Sequence, residues 1–307
     1  SGTQKGSMFT YAHGDVLRVA VENNVVKYYK NGTCLYTSTS APSLPLHIDM
    51  ALYETGATLQ NISIGNALTW TDIVNCSTTS TSVVKTGTTG WDSNSAGAFS
   101  TVSVGNNQYV ETTADETNTY RLLGLSSSNA DANWNTIQYA IYPDGNGNLL
   151  FFESGTQKGS MFTYAQGDVL RVAVVNNTVK YYKNGVCLYT SLITPSLPLY
   201  VDMALYDNGA TLKNISIGNF DQTWTDIIYC STTPSSVIKT GTTGWDANSA
   251  GAFSTATVGN NQYVATTVDE TDTYRMIGLS TTNTNANWNT INYAIYPGDA
   301  NVLYIVE

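Results

Sequence analysis

Cysteine, tryptophan and paired acidic residues are the side chains of this 307-residue chain whose types and spacing could do chemistry. The cysteines, Cys34, Cys76, Cys187 and Cys230, stand 42, 111 and 43 positions apart. These spacings fit no zinc or haem pattern, so neither a metal nor a cofactor is expected. Disulfide formation in an oxidising compartment accounts for them better than free core thiols do. Sequence alone admits Cys76–Cys187 with Cys34–Cys230, and equally Cys34–Cys76 with Cys187–Cys230. The carboxylates that could work in pairs are Asp115-Glu116 with Asp269-Glu270, and Asp92 with Asp246. Hydrolysis of a glycosidic bond needs two carboxyl groups facing each other about 5 to 10 Å apart. No spacing here demands that arrangement, and these residues read as loop-end carboxylates that cap turns.

Tryptophan offers a different chemistry. Gly90-Trp91-Asp92-Ser93-Asn94 and Gly244-Trp245-Asp246-Ala247-Asn248 set an aromatic face beside amide and carboxylate groups, a combination that suits a pyranose ring. The run Asn129-Ala130-Asp131-Ala132-Asn133-Trp134-Asn135 does the same in an all loop-forming stretch, with Trp288 as its counterpart. Trp134, Asn133, Asp131, Trp288, Trp91, Asp92, Trp245 and Asp246 are therefore the candidate glycan-binding residues. The competing reading folds each indole over the end of a sandwich to shield its core. Asp and Asn in these loops lack EF-hand or nonapeptide calcium spacing. Five matches to the glycosylation sequon, such as Asn61-Ile62-Ser63, are the number a Ser/Thr/Asn-rich chain produces by chance.

The elements that must position these residues come in two copies. Residues 1–66 return as 154–219 with 12 differences in 66 aligned positions, and residues 67–153 return as 220–307 with one insertion before Thr223. Such a period marks a repeat architecture, and the expectation is a two-period window of a longer tandem array. His13 and His47 become Gln166 and Tyr200, and Glu22 becomes Val175, so no activity shared by both copies can rest on them. A non-enzymatic protein is expected. Charged residues make up only 12% of the chain, and the 13 Lys and Arg are scattered, which excludes a nucleic-acid or anionic-membrane partner. No apolar run is long enough to span a membrane.

Short β-rich runs separated by turn residues recur throughout. Asp15–Val21, Val25–Tyr29 and Cys34–Thr37, separated by Asn23-Asn24 and Asn31-Gly32, read as a three-stranded meander, because an Asn-Gly pair tolerates the positive φ that tight hairpins need. About a dozen short antiparallel strands in each ~150-residue unit predict an all-β, two-sheet sandwich. The runs Tyr139–Pro143, Leu149…Gly159, Gly167–Val174 and Val179–Gly185 resemble the central strands of SPRY-like sandwiches, of the concanavalin A-like lectin/glucanase jelly-roll class. That resemblance implies a domain beginning near Trp70 and ending near Asn219. One intact domain would then occupy residues 67–219, with 220–307 and 1–66 as the N- and C-terminal parts of another. Within this frame Cys76–Cys187 and Cys34–Cys230 are the preferred disulfides, each inside one domain. Residues 1–66 would complete either 220–307 of the same chain, as in a circular permutant, or a neighbouring copy. Only the second propagates and it is the one preferred, so the expected function is an extracellular, cell-surface structural or adhesive filament built by self-assembly. The alternative is a pair of carbohydrate-binding, lectin-like modules with glycans as partners.

Overall fold

The computed structural model describes residues 2–219 and 222–307. Ser1 and Phe220, on which two expected boundaries fall, lie outside the described residues together with Asp221. The chain separates into two compact units, Ser1–Gly65 with Phe220–Glu307 (unit 1) and Asn66–Asn219 (unit 2). Unit 1 begins with β1 (Gln4–Thr10), β2 (Val16–Glu22), β3 (Val25–Lys30), β4 (Thr33–Thr37), β5 (Leu46–Leu52) and β6 (Thr58–Asn66). Unit 2 follows with β7 (Trp70–Val74), β8 (Cys76–Thr78), β9 (Val83–Lys85), β10 (Gly97–Val104), β11 (Gln108–Thr113), β12 (Arg121–Ser126) and β13 (Tyr139–Pro143). It continues through β14 (Asn148–Glu153), β15 (Thr156–Thr163), β16 (Val169–Val175), β17 (Thr178–Lys183), β18 (Val186–Thr190), β19 (Leu199–Leu205) and β20 (Thr211–Asn219). Unit 1 is completed by β21 (Trp224–Ile228), β22 (Cys230–Thr233), β23 (Ser236–Lys239), β24 (Gly251–Val258), β25 (Gln262–Thr267), β26 (Arg275–Ser280), β27 (Tyr293–Pro297) and β28 (Val302–Val306).

Unit 2 is a sandwich of two antiparallel sheets, ordered β15-β14-β13-β12-β19-β10-β7 and β18-β17-β16-β11-β20-β9-β8. The all-β two-sheet fold expected from the sequence is therefore the one observed. Strand alternation decides what each sheet buries. Leu123 and Leu125 of β12, Ile141 of β13 and Val201, Met203 and Leu205 of β19 face Val110, Val172, Val174 and Ile217 of the opposite sheet in one fully buried core. Unit 1 repeats the plan as β1-β28-β27-β26-β5-β24-β21 over β4-β3-β2-β25-β6-β23-β22. Its two sequence segments close on each other within one chain: β1 pairs with β28, β5 lies between β24 and β26, and β2 pairs with β25. Completion by a neighbouring copy was the expectation. Closure within the chain removes its motive, because the broken hairpin regains its partner and Leu17, Val19 and Val21 are covered at 0% exposure. Among the described residues no helix is long and apolar enough to cross a membrane.

The hairpins form for a local reason. Asn23 and Asn24 have φ of 51° and 62°, and Asn31 has φ of 48° ahead of Gly32, so both turns use the left-handed region that Asn and Gly tolerate. Asn31 adds a side-chain clamp, its Oδ1 accepting from Val16 N at 2.8 Å.

On the outer face of the β16-β11 ladder an arginine is stacked and paired. Arg171 lies opposite Glu111 in register, donates to it through Nε and Nη2 at 3.0 and 2.7 Å, and sits 3.8 Å from the Tyr109 ring centroid. In unit 1 the position opposite Arg18 is Ala265, and the carboxylate comes from Glu22, four residues along the same strand, at 3.7 Å. Each copy pairs its arginine with an acid, taken from a different strand. Glu111→Ala is expected to cost unit 2 about 3 kcal/mol by removing the carboxylate that holds a buried guanidinium in two hydrogen bonds. Adding Val175→Glu, which reproduces the unit 1 arrangement, should recover most of that loss in urea unfolding; no recovery would refute the exchange.

Candidate functional site

The outer face of the β12-β13-β19 sheet carries small and apolar residues: Leu122, Ala140 and Ala204, all at 0% exposure, joined by Ile137. Trp91, Trp134, Tyr142 and Phe152 pack over them, and with Tyr120 and Tyr206 they form a closed ring of six aromatic side chains. Going round, Trp91 to Trp134 is 6.4 Å between ring centroids, Trp134 to Phe152 5.3 Å, Phe152 to Tyr142 5.6 Å, Tyr142 to Tyr120 6.3 Å, Tyr120 to Tyr206 5.8 Å and Tyr206 to Trp91 5.1 Å. The rings meet tilted or edge to face, the arrangement their quadrupoles favour, and all six are half-buried. In unit 1 the ring is open. Tyr53, Trp245, Tyr274 and Tyr296 keep their places, but Val306 stands where unit 2 has Phe152.

The candidate residues from the sequence thus converge in space, although their polar members have other work. Asn133 Oδ1 accepts from Asp92 N at 3.0 Å and from Ser95 Oγ at 2.6 Å, tying the Trp91 loop to the Trp134 loop. Asp131 Oδ1 accepts from Asn133 N at 2.8 Å and Thr136 Oγ1 at 3.0 Å, shaping the short 3-10 turn Trp134–Thr136. In unit 1, Asn287 bonds Ser249 in the same way, beside Trp288, Trp245 and Asp246. Asp92 and Asp246 are exposed, each at φ 58°. The indoles differ in a telling way. Trp70 Nε1 and Trp224 Nε1 each donate to a backbone carbonyl at 2.7 Å, whereas those of Trp91 and Trp134 donate to no protein group among the described residues. The indoles shield the sheet, and those of Trp91 and Trp134 stay partly exposed.

Sequence reasoning missed Tyr120, Tyr142, Tyr206 and Phe152, which come from four different strands or strand ends. It also missed Lys85, 1% exposed at the end of β9. Its Nζ donates to the carbonyls of Gly90 and Leu205, both at 3.0 Å, and of Asn94, pinning the Trp91 loop to β19. Lys239 does the same for Leu52, Gly244 and Asn248. Burial holds both ammonium groups below the usual lysine range. The loop 127–137 lies flat on the sheet because β12 carries Gly124 beneath it, where a Cβ would come within 2.3 Å of Tyr139 O and 2.6 Å of Ile137 Cγ2.

Under that loop Asp202 is 3% exposed and accepts from Ser126 Oγ at 2.6 Å. Desolvation pushes its carboxyl up to about 7, and Asp49 in unit 1 is raised to about 7 for the same reason. The persistent acidic pairs are structural. Glu116 accepts from Thr211 N at 2.7 Å and faces Arg121 at 3.8 Å, Asp115 pairs with Lys213, and Asp269 and Glu270 both hold Thr58 Oγ1. Among the described residues no three His, Cys, Asp or Glu side chains gather as a metal site.

The expected disulfides are absent: Cys34, Cys76, Cys187 and Cys230 are all free. Cys187 on β18 and Cys76 on β8 occupy opposite edges of one sheet, several strand spacings of about 4.8 Å apart, while a disulfide needs Cα atoms within about 7 Å. Cys34 on β4 and Cys230 on β22 stand likewise in unit 1. Burial raises the Cys76 thiol and pushes that of Cys230 up to about 12, so both stay protonated and unreactive at neutral pH.

No family model and no curated protein sequence matches the chain. Among solved structures it is similar to the SPRY domain of human HERC1, with 14% identity, covering 50% of this chain and 100% of that one, at a TM-score of 0.37. The carbohydrate recognition domain of Emp47p is similar at 10% identity, 55% and 94% coverage and a TM-score of 0.33. The carbohydrate-binding module CBM66 from Bacillus subtilis is similar at 12% identity, 50% and 97% coverage and a TM-score of 0.29. At these identities the likeness is one of fold alone.

Two measurements follow. Lys85→Met should cost about 3 kcal/mol or more, because three inward carbonyls lose their donor. Trp91 fluorescence should report loosening of its loop before the rest of unit 2 unfolds; unchanged stability would remove Lys85 from this role. A carboxyl raised to about 7 when folded, and of ordinary acidity when unfolded, binds its proton more tightly in the folded state. Its contribution is therefore complete below about pH 4 and is lost as pH rises through about 7. Asp49→Asn with Asp202→Asn should stabilise relative to the parent by an amount that grows from pH 4.5 to pH 7.5. A pH-independent difference in melting temperature would contradict the assignment.

Proposed function

We propose that this chain is a carbohydrate-binding protein, acting outside the cell, in which the aromatic ring of unit 2 takes the apolar face of a sugar residue. The observation that carries the reading is the closed ring of Trp91, Trp134, Phe152, Tyr142, Tyr120 and Tyr206, with two indole donors unpaired at its edge. A sugar ring presents C–H groups on one face and hydroxyls around its rim. Stacking on an aromatic face removes the C–H groups from water, while the indole N–H and the exposed Asp92 carboxylate meet hydroxyls. Several half-exposed rings held rigid by one another cost little side-chain entropy on binding. The open ring of unit 1 makes it the weaker of the two.

A structural role, as copies assembled into an adhesive stalk, has one observation in its favour. The edge strands β7 and β21 leave Ile73 and Val74, and Ile227, at 48%, 41% and 45% exposure, beside unpaired backbone groups. A protein that sediments as a monomer at all concentrations would remove this second reading.

Affinity electrophoresis through soluble β-glucan, mannan and galactan tests the first. Retardation by at least one polysaccharide is expected, with Trp134→Ala weakening it about tenfold, which corresponds to about 1.4 kcal/mol of lost contact. Phe152→Val, which opens the ring as in unit 1, should weaken it less. Absence of retardation by any glycan, or retardation indifferent to Trp91→Ala and Trp134→Ala, would overturn the proposal.

A further inference from the structure

Apart from the aromatic ring, each unit has a cleft at the same place in the fold, where the β4–β5 or β18–β19 connection meets the ends of the first sheet. In unit 1 it encloses about 390 Å³ and is walled by Lys5, Ser40, Thr281, Asn292, Tyr293 and Glu307, among others. In unit 2 it shrinks to about 240 Å³ between Ser127, Gln138, Tyr139 and Ile193. The framework is common to both. Thr281 N donates to Asn292 Oδ1 at 3.0 Å, and Ser127 N to Gln138 Oε1 at 2.9 Å. Three wall positions differ in bulk, and Ser154, which walls the unit 2 cleft, corresponds to Ser1, outside the described residues. Ser40 is replaced by Ile193, Ala41 by Thr194 and Asn292 by Gln138, each a larger side chain in unit 2. Ser40, Ala41 and their partners are two of the 12 differences in that 66-residue alignment, and both fall on this rim.

The chemistry of the open cleft is specific. Asn292 lines the cleft, and its Oδ1 accepts from Thr281 N at 3.0 Å and Thr281 Oγ1 at 3.3 Å. Glu307 is 8% exposed through its side chain, accepts from Tyr28 OH at 3.0 Å and lies 4.0 Å from Lys5 Nζ, which balances its charge. Hydroxyls of Ser40 and Thr281 and the ring of Tyr293 complete the wall. Donors and acceptors line a mostly polar space whose lysine and glutamate balance each other. An ionic ligand would find no net opposite charge, and a lipid-like ligand would strand the polar groups. A neutral, hydroxyl-rich molecule of about one sugar residue satisfies them. The volume lies within the range of ligand pockets, about 300 to 1,000 Å³, whereas the unit 2 cleft falls below it.

We propose that the unit 1 cleft is a second, monosaccharide-sized polyol site, and that Ile193 and Gln138 close the corresponding cleft of unit 2. The proposal borrows its ligand class from the carbohydrate-binding reading, but the cleft and the aromatic ring share no residue. The full chain is titrated with methyl glycosides of glucose, galactose and mannose while the amide spectrum, including the Asn292 side chain, is followed by nuclear magnetic resonance. Saturable shifts at Asn292 and Tyr293 are expected with at least one glycoside, weakened at least tenfold by Ser40→Ile. That variant places in unit 1 the residue the other copy already accommodates, and the dispersion of its spectrum verifies folding. Gln138→Asn with Ile193→Ser should create a second set of shifts around Tyr139. No saturable shift at Asn292 with any of the three, or shifts indifferent to Ser40→Ile, overturns the cleft. Shifts confined to Trp91 and Trp134 overturn it while leaving the aromatic-ring reading intact. Shifts at Asn292 that survive Trp134→Ala, in a protein no polysaccharide retards, uphold the cleft and sink that reading instead.

Discussion

A lysine ammonium taken out of water constrains each unit more than any other single group. Lys85 and Lys239 are 1% exposed, and each satisfies its three protons with three backbone carbonyls drawn from separate stretches of chain. A buried charge tolerates no vacancy among its partners, so all three carbonyls must arrive together. That requirement sets the Trp91 loop against β19. Asn133 then couples the Trp134 loop to it, and the two indoles close over Leu122, Ala140 and Ala204. The aromatic surface is the far end of a chain of polar constraints that begins beneath it.

The duplication lets each copy serve as a control for the other. What stays constant is the scaffold: strand order, Asn-lined hairpins, the buried lysine and the stacked arginine. What varies is how a need is met or what the surface presents. The acid that neutralises the arginine moves from Glu111 on the neighbouring strand in unit 2 to Glu22 on its own strand in unit 1, because both positions reach the same spot on one sheet face. Phe152 closes the aromatic ring where unit 1 has Val306, and Ile193 lines the smaller cleft where unit 1 has Ser40. Two modules on one backbone plan therefore differ in the surface they present without differing in fold, which matches the general separation of site from scaffold.

The outer aromatic layer meets a packing need of the sheet. A sheet needs its second face covered when that face carries Leu122 and Ala204, and the same rings that cover it remain half-exposed. Shielding holds them rigid, and rigidity is what a stacking surface requires. The cysteines make the opposite point. Their recurrence in phase suggested staples, yet each unit is held by two full sheets, and the thiols sit on strands at opposite sheet edges. Recurrence in a duplicated chain follows from the duplication itself and says nothing about bonding.

Local chemistry made the strands, the meanders and the two-sheet class legible from sequence, because alternation with period two and the positive φ of Asn31, Asn184 and their following glycines act within a few residues. The two Trp loops were legible as candidates for the same reason: their composition is written in one short run. Tyr120, Tyr142, Tyr206 and Phe152 were not, since each is an unremarkable strand residue until register places it beside the indoles. Lys85 stands in no motif of the sequence, and the carbonyls of Gly90, Asn94 and Leu205 account for its burial. The closure of unit 1 within the chain, the separation of the cysteines and the sharing of acids between strands are likewise products of which strands become neighbours. Neighbourhood in a sandwich joins residues more than a hundred positions apart, as between Lys85 and Leu205, and that pairing is settled by burial of whole sheet faces rather than by any short segment.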